Sequence, residues 1–337
     1  MFYKYKFLFS LSLILGSLIS ISSNSWLGMW MGLEINLLSF IPIIQEKNNS
    51  LSTESSLKYF LSQALASIIF LMSVIMLMKN FLIMVNLNNY FIIMLNSSLL
   101  MKMGMAPFHF WFPEVIEGLN WINSMILLTW QKITPMILVM FNLNNQTFFF
   151  LIMIFSMLIS AIMGFNQISL RKLMAYSSIN HMSWMISAML ISETIWFYYF
   201  ITYFILTINI ILIFYKFNIY FYNQLLLFIN KNYLMKFFFS FNFLSLGGLP
   251  PFLGFFPKWL SIQSMIFNNW LFLAFLMVIL TLLTLFFYVK LIFNIMIFNS
   301  NEINYFNPLL FNVKNILIIN FFSLISLLLI PLTLNFS

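Results

Sequence analysis

The sequence predicts an all-α, polytopic membrane protein with about eleven transmembrane helices. Of its 337 residues 63% are hydrophobic and only 7% are charged. Its mean hydropathy is +1.00, far from the balance of an ordinary soluble domain. Apolar runs of about 20 residues, the length an α-helix needs to cross roughly 30 Å of hydrocarbon, follow one another with short polar connections. Almost nothing is left for a soluble domain, so residues 1–337 read as a single transmembrane domain.

The first run follows MFYKYKF, a basic start with an apolar continuation that looks like a secretory signal. The SNSW that follows has no small-residue cleavage site, so residues 7–22 are read as an uncleaved span. Further spans are expected over residues 25–45, 58–78, 90–112, 120–142, 147–165, 170–191, 194–215, 237–266, 270–298 and 315–335. EKNNSLSTESS closes the second, NLNN stretches flank the fourth and fifth, and NSNEINYFNP precedes the last. Alternating connections place Lys4, Lys6, Lys47, Lys58, Arg171, Lys172, Lys216, Lys231, Lys236 and Lys314 on the side of the N-terminus, with Lys79 alone opposite. By the positive-inside rule the N-terminus lies on the negative side of the membrane and the C-terminus outside.

Composition excludes several classes. The net charge of +8 comes from 15 basic and 7 acidic residues scattered singly between apolar runs, without the basic, aromatic-interleaved face of a nucleic-acid binder. With no cysteine there are no disulfides, thiolate zinc sites or Cys-held iron–sulfur clusters. No phosphate loop, haem ligand pair or hydrolase triad appears, and the methionines read as core filler. Abundant Asn, Ile, Phe and Lys beside one arginine, Arg171, suggest an AT-rich, organelle-encoded gene.

The chemistry lies in four ionisable residues near span centres: Glu34 in WLGMWMGLEINLLSF, Lys102 in LLMKMGMAPFHF, Lys132 in LLTWQKITPM and Lys258 beside LGGLPPFLGFFP. A charge at the bilayer centre costs about 2.5 to 3.5 kcal/mol on the mildest scale, so each is a functional candidate. Ion pairing that merely joins helices accounts for Glu34 and one lysine. Two lysines then have no midplane acid, and removal from water works against their charge. A proton site that can be loaded and emptied fits them better.

MGMAPFHFWFP and LGGLPPFLGFFP also put proline and glycine inside apolar segments, where freed backbone carbonyls can line a hydrated ion path. Packing kinks are the plainer reading of a single break. The two stretches match at one constant offset, Pro107, Phe108, Trp111, Phe112 and Pro113 with Pro251, Phe252, Phe255, Phe256 and Pro257. They fall in the fourth and ninth spans, which run in opposite directions, as in an inverted repeat. In LRKLMAYSSINHMSW, Ser177, Ser178 and His181 serve equally well as interhelical hydrogen bonds or as supports for a proton-conducting chain. His109 is expected near a span end, at the interface, and Glu46, Glu54, Glu114, Glu117, Glu193 and Glu302 beside solvated connections.

SNSWLGMWMGLEINLLSFIPI, STESSLKYFLSQALAS, LLMKMGMAPFHFWFPEVIEGLNW, LLTWQKITP, FNQISLRKLMAYSSINHMSWM and NFLSLGGLPPFLGFFPKW together resemble the mitochondrially encoded chain 2 family of NADH:ubiquinone oxidoreductase, respiratory complex I, in an insect-like form. Met103, Met105 and Ser183 depart from the smaller residues usual there. The resemblance implies an antiporter-like membrane-arm subunit with two inverted five-helix repeats, approximately residues 7–142 and 147–298, plus a final helix. It implies that Glu34 and Lys102 form a proton-controlling pair, that Lys132 sits on a central hydrated axis and that Lys258 ends a half-channel. NADH, FMN, iron–sulfur clusters and ubiquinone would be handled by other subunits, with no cofactor or metal in this chain. Neighbouring membrane-arm subunits, other antiporter-like ones among them, and lipids would be its partners, in the mitochondrial inner membrane. A stand-alone cation/proton antiporter and a structural coupling subunit that conducts no protons are the alternatives.

Overall fold

The computed structural model describes residues 2–46, 49–79, 88–229 and 233–297. Every regular element among them is helical, apart from an isolated bridge between Ser169 and Phe221. The predicted final span, 315–335, lies outside the described residues. The helices are α1 Phe2–Ser22, α2 Trp26–Ile44, α3 Ser50–Lys79, α4 Asn88–Met103, α5 Trp111–Gly118, α6 Trp121–Leu128, α7 Trp130–Met140, α8 Gln146–Gly164, α9 Leu170–Met189, α10 Glu193–Phe217, α11 Tyr222–Ile229, α12 Tyr233–Gly247, α13 Phe255–Phe267 and α14 Leu271–Ile297. The chain divides into two compact units after Ser156.

Among the described residues seven stretches are long and apolar enough to cross a membrane: Tyr5–Ser22, Trp26–Ile44, Ser50–Met78, Trp121–Met140, Gln146–Gly164, Glu193–Phe217 and Leu271–Met296. The expected 90–112 and 237–266 spans are not among them as continuous helices. The predicted 90–112 span ends as a helix at Met103, turns, and resumes at Trp111, and the predicted 237–266 span breaks between Gly247 and Phe255. α9 is long enough but not apolar enough, and it is buried along nearly its whole length. α11 was read from the sequence as connection.

In the first unit α1 and α2 lie close enough for backbone to meet small side chains. A Cβ added at Gly32 would come within 2.6 Å of the Ser20 nitrogen, the close approach that small residues permit when helices pack in lipid. In the second unit α9 packs against α10, α13 and α14, and α12 against α10 and α14.

Both interrupted segments end their first helix in the same way. Gly104 stands at φ 75° while its N–H donates to Met101 O at 3.1 Å and Met105 N–H donates to Leu100 O at 3.1 Å. Gly248 stands at φ 79°, its N–H donates to Ser245 O at 3.0 Å, and Leu249 N–H donates to Leu244 O at 3.3 Å. This is a Schellman cap, whose left-handed residue glycine adopts without a Cβ clash. It stops the helix while satisfying two of its last carbonyls.

Candidate functional site

In the first unit, Lys102 falls in the last turn of α4 and Lys132 in the first turn of α7, one turn past the interruption at Thr129. Both are buried, with 8% and 2% exposure, and both line one cavity of about 20 Å³. Leu33, Asn36 and Leu37 bring α2 to this cavity, and Tyr59 and Gln63 bring α3. Glu34 is only half-buried as a residue, but its Oε1 is enclosed without a hydrogen-bond partner, as are Asn36 Oδ1 and Gln131 Nε2. The cavity is polar and large enough for about one water molecule.

Glu34 and Lys102 do not touch. Ion pairs within 4.0 Å join Lys58 instead to Glu54 at 2.9 Å and to Glu114 at 2.8 Å. The Glu34 carboxylate instead acts through space on both the Lys102 ammonium and the Tyr59 hydroxyl. Lys102 lies at the carbonyl end of α4, where the helix dipole favours a cation. Gln63 Nε2 donates to the Lys102 carbonyl at 3.4 Å and Trp111 Nε1 to Met101 O at 3.1 Å, which ties the helix end to α3 and α5. Lys132 Nζ stands 5.0 Å from the centre of the Phe112 ring, an attraction between ammonium and π-face. The structure therefore brings together three of the four ionisable residues picked out in the sequence.

The fourth, Lys258, belongs to the second unit. It leaves the first turn of α13 and its Nζ donates to Gly247 O at 2.8 Å and to Leu246 O at 3.4 Å. It thus closes the carbonyl end of α12. Its stem is tightly held, since a Cβ on Gly248 would come within 2.7 Å of Lys258 Cδ. A loosely packed, water-filled surrounding, as Pro257 and the break before it would suggest, is not what the stem meets.

α9 carries the second polar cluster. His181 Nδ1 hydrogen-bonds the Tyr199 hydroxyl of α10 at 3.0 Å, and the Tyr203 ring centre lies 5.3 Å from that of His181. Asn180 Nδ2 donates to Thr284 Oγ1 of α14 at 3.0 Å. Ser177 and Ser178 turn their own protons back to the helix, donating to Met174 O at 2.8 Å and Ala175 O at 2.6 Å. Tyr203 interacts with Ser178, and the Tyr288 ring lies against Phe243 and Phe287 with its hydroxyl enclosed. Sequence reasoning missed Tyr199, Tyr203 and Tyr288, because tyrosines inside apolar helices look like filler until α9, α10 and α14 pack. His181→Gln keeps a group able to bond Tyr199. It should therefore slow coupled turnover of the assembled complex only about two- to tenfold, the worth of one hydrogen bond; complete loss with normal assembly would show His181 to be indispensable.

His109 is buried in the turn before α5, with Nδ1 3.3 Å from Pro107 O. Glu54 and Glu114, whose side chains are 61% and 55% exposed, hold Lys58 between α3 and α5, and Glu46 accepts a hydrogen bond from Asn120 Nδ2. No group of three His, Asp or Glu able to hold a metal occurs among the described residues.

Buried lysines at broken helices in a polytopic helical chain define a class of membrane protein, and residues 23–284 match the family model for it, described as NADH:quinone oxidoreductase/Mrp antiporter, TM. The chain is 50% identical over 332 residues to NADH-ubiquinone oxidoreductase chain 2 of Anopheles gambiae, and 52% identical over 330 residues to that of Aedes aegypti, with 96% of each chain covered in both comparisons. It belongs to the NADH-ubiquinone oxidoreductase chain 2 family. A chain of respiratory complex I from Thermus thermophilus shares the fold with a TM-score of 0.85 at 22% identity, covering 97% of this chain and 79% of that one. A chain of the Mrp complex from Dietzia sp. aligns with a TM-score of 0.71 at 15% identity, covering 84% and 59%.

Proposed function

We propose that the chain is an antiporter-like, proton-translocating subunit of respiratory complex I in the mitochondrial inner membrane, with the N-terminus in the matrix. Protons move from matrix to intermembrane space, driven by electron transfer from NADH to ubiquinone on other subunits, and this chain performs no redox step. Its neighbours are other membrane-arm subunits, some of them antiporter-like, and residues 7–142 and 147–298 are two inverted five-helix repeats followed by one more helix. The observation that carries this reading is the shared cavity of Lys102 and Lys132 under the field of Glu34.

The chain's own residues hold protons and pass them on. Burial works against a charge on Lys102 and Lys132, while Glu34 and the carbonyl end of α4 favour it at Lys102 and the Phe112 ring favours it at Lys132. A change in the field at Glu34 alters the proton affinity of Lys102 first, and the cavity passes that change to Lys132. In the second unit, Lys258 and the hydroxyls around His181 are further groups able to hold or relay protons.

Reconstitution in liposomes containing a pH-sensitive dye tests this. The assembled complex should acidify one face during NADH oxidation, and Lys132→Met should reduce protons moved per NADH. An unchanged ratio would favour a structural coupling role, and proton/cation exchange by the purified chain alone would favour a self-sufficient antiporter.

A further inference from the structure

The second unit has a larger cavity, about 380 Å³, unrelated to the lysine cavity of the first. Asn166, Gln167, Tyr222, Asn223, Lys290 and Asn294 supply its polar lining. Lys290 is exposed, and its Nζ is held over the Phe165 ring at 5.0 Å from the centroid. Phe165 in turn stacks on Phe286, with centroids 5.4 Å apart and planes 2° from parallel. The ammonium is thus positioned at the cavity while no carboxylate among the described residues lies within 4.0 Å of it.

The surrounding charge has one sign. Arg171 and Lys172 begin α9 beside the cavity, whereas the one acidic side chain among the described residues of this unit, Glu193, begins α10 at the other end of α9. Twenty helical residues put about 30 Å between those ends. Below the polar groups the surface is apolar and open, with Ile168 70%, Phe286 54% and Phe293 59% exposed. Phe286, Lys290 and Phe293 recur at helical spacing on α14, so a cation sits within an exposed apolar stripe.

Amide and hydroxyl donors around an ammonium suit a phosphate group, and the apolar stripe suits hydrocarbon attached to it. We propose that this cavity binds the headgroup phosphate of an anionic phospholipid whose acyl chains lie along α14. A free phosphate would satisfy the donors but leave the stripe without a role.

The test uses the full chain in membranes carrying a photoactivatable phosphatidic acid analogue, with a matched phosphatidylcholine analogue as control. The acidic probe should label peptides containing residues 164–168 and 286–294 more than the neutral one. Lys290→Gln should weaken that labelling about fivefold, the effect of one cation at an anionic surface, and Lys290→Arg should restore it. Equal labelling by the two probes, or labelling unchanged in Lys290→Gln, would overturn the proposal. Competition by inorganic phosphate that abolishes labelling would assign the cavity to free phosphate and overturn the lipid assignment.

Discussion

Glu34→Gln and Lys102→Met should each cut coupled quinone reduction about tenfold, roughly 1.4 kcal/mol of barrier, and the double variant should be little worse than either. The two side chains make no direct contact, so the effect cannot come from breaking a salt bridge and collapsing helices. It comes from removing either the field or the group that responds to it, and once one is gone the other has nothing to act on. Residues in one network show such non-additivity, whereas independent sites add. Steady-state rates of the assembled complex, with assembly checked on native gels, measure it. Losses that multiply in the double variant would show that the two charges act separately.

Lys258→Met should abolish most coupled turnover, and Lys258→Arg should retain clearly more. The Nζ closes two carbonyls at the end of α12, Gly247 O and Leu246 O. Methionine matches the stem but leaves both acceptors without a donor, at a cost of about 1 to 3 kcal/mol each when buried, and removes the charge as well. Arginine keeps charge and donors but must fit its broader head beside Gly248, so wild-type activity is not expected. Equal turnover in the two variants, at equal assembly, would show that neither the charge nor the donors matter.

Much of the fold was legible because long apolar helices announce themselves. The expected 25–45, 147–165 and 270–298 spans became Trp26–Ile44, Gln146–Gly164 and Leu271–Ile297. α3 begins at Ser50, eight residues before the predicted 58, because STESS extends the helix with polar turns that no hydropathy window counts. α11 was missed since YNQLLLFI is too short to span and lies among asparagines. The breaks at Gly104 and Gly248 were visible as glycine and proline in apolar runs. The site was legible residue by residue, because a lysine in a span is costly and so conspicuous. Its partners were not. Tyr59, Gln63 and Phe112 reach Lys102 and Lys132 only through tertiary packing, and nothing local distinguishes Tyr199 or Tyr288 from other aromatic filler.

The two Schellman turns have a consequence for how such a chain can vary. Gly104 and Gly248 are 144 positions apart, but position 246, which answers to Lys102, is leucine, and position 114, which answers to Lys258, is glutamate. In one unit the cation grows from the terminating helix itself, and in the other it reaches back from the helix that follows. Lys102 stands in the last turn of α4, whereas Lys258 Nζ bonds to the carbonyls that end α12. The electronegative end of a helix can thus be given a cation from either side of the break, so a leucine or a glutamate at the matching position of the other unit does not mean that its helix end lacks one.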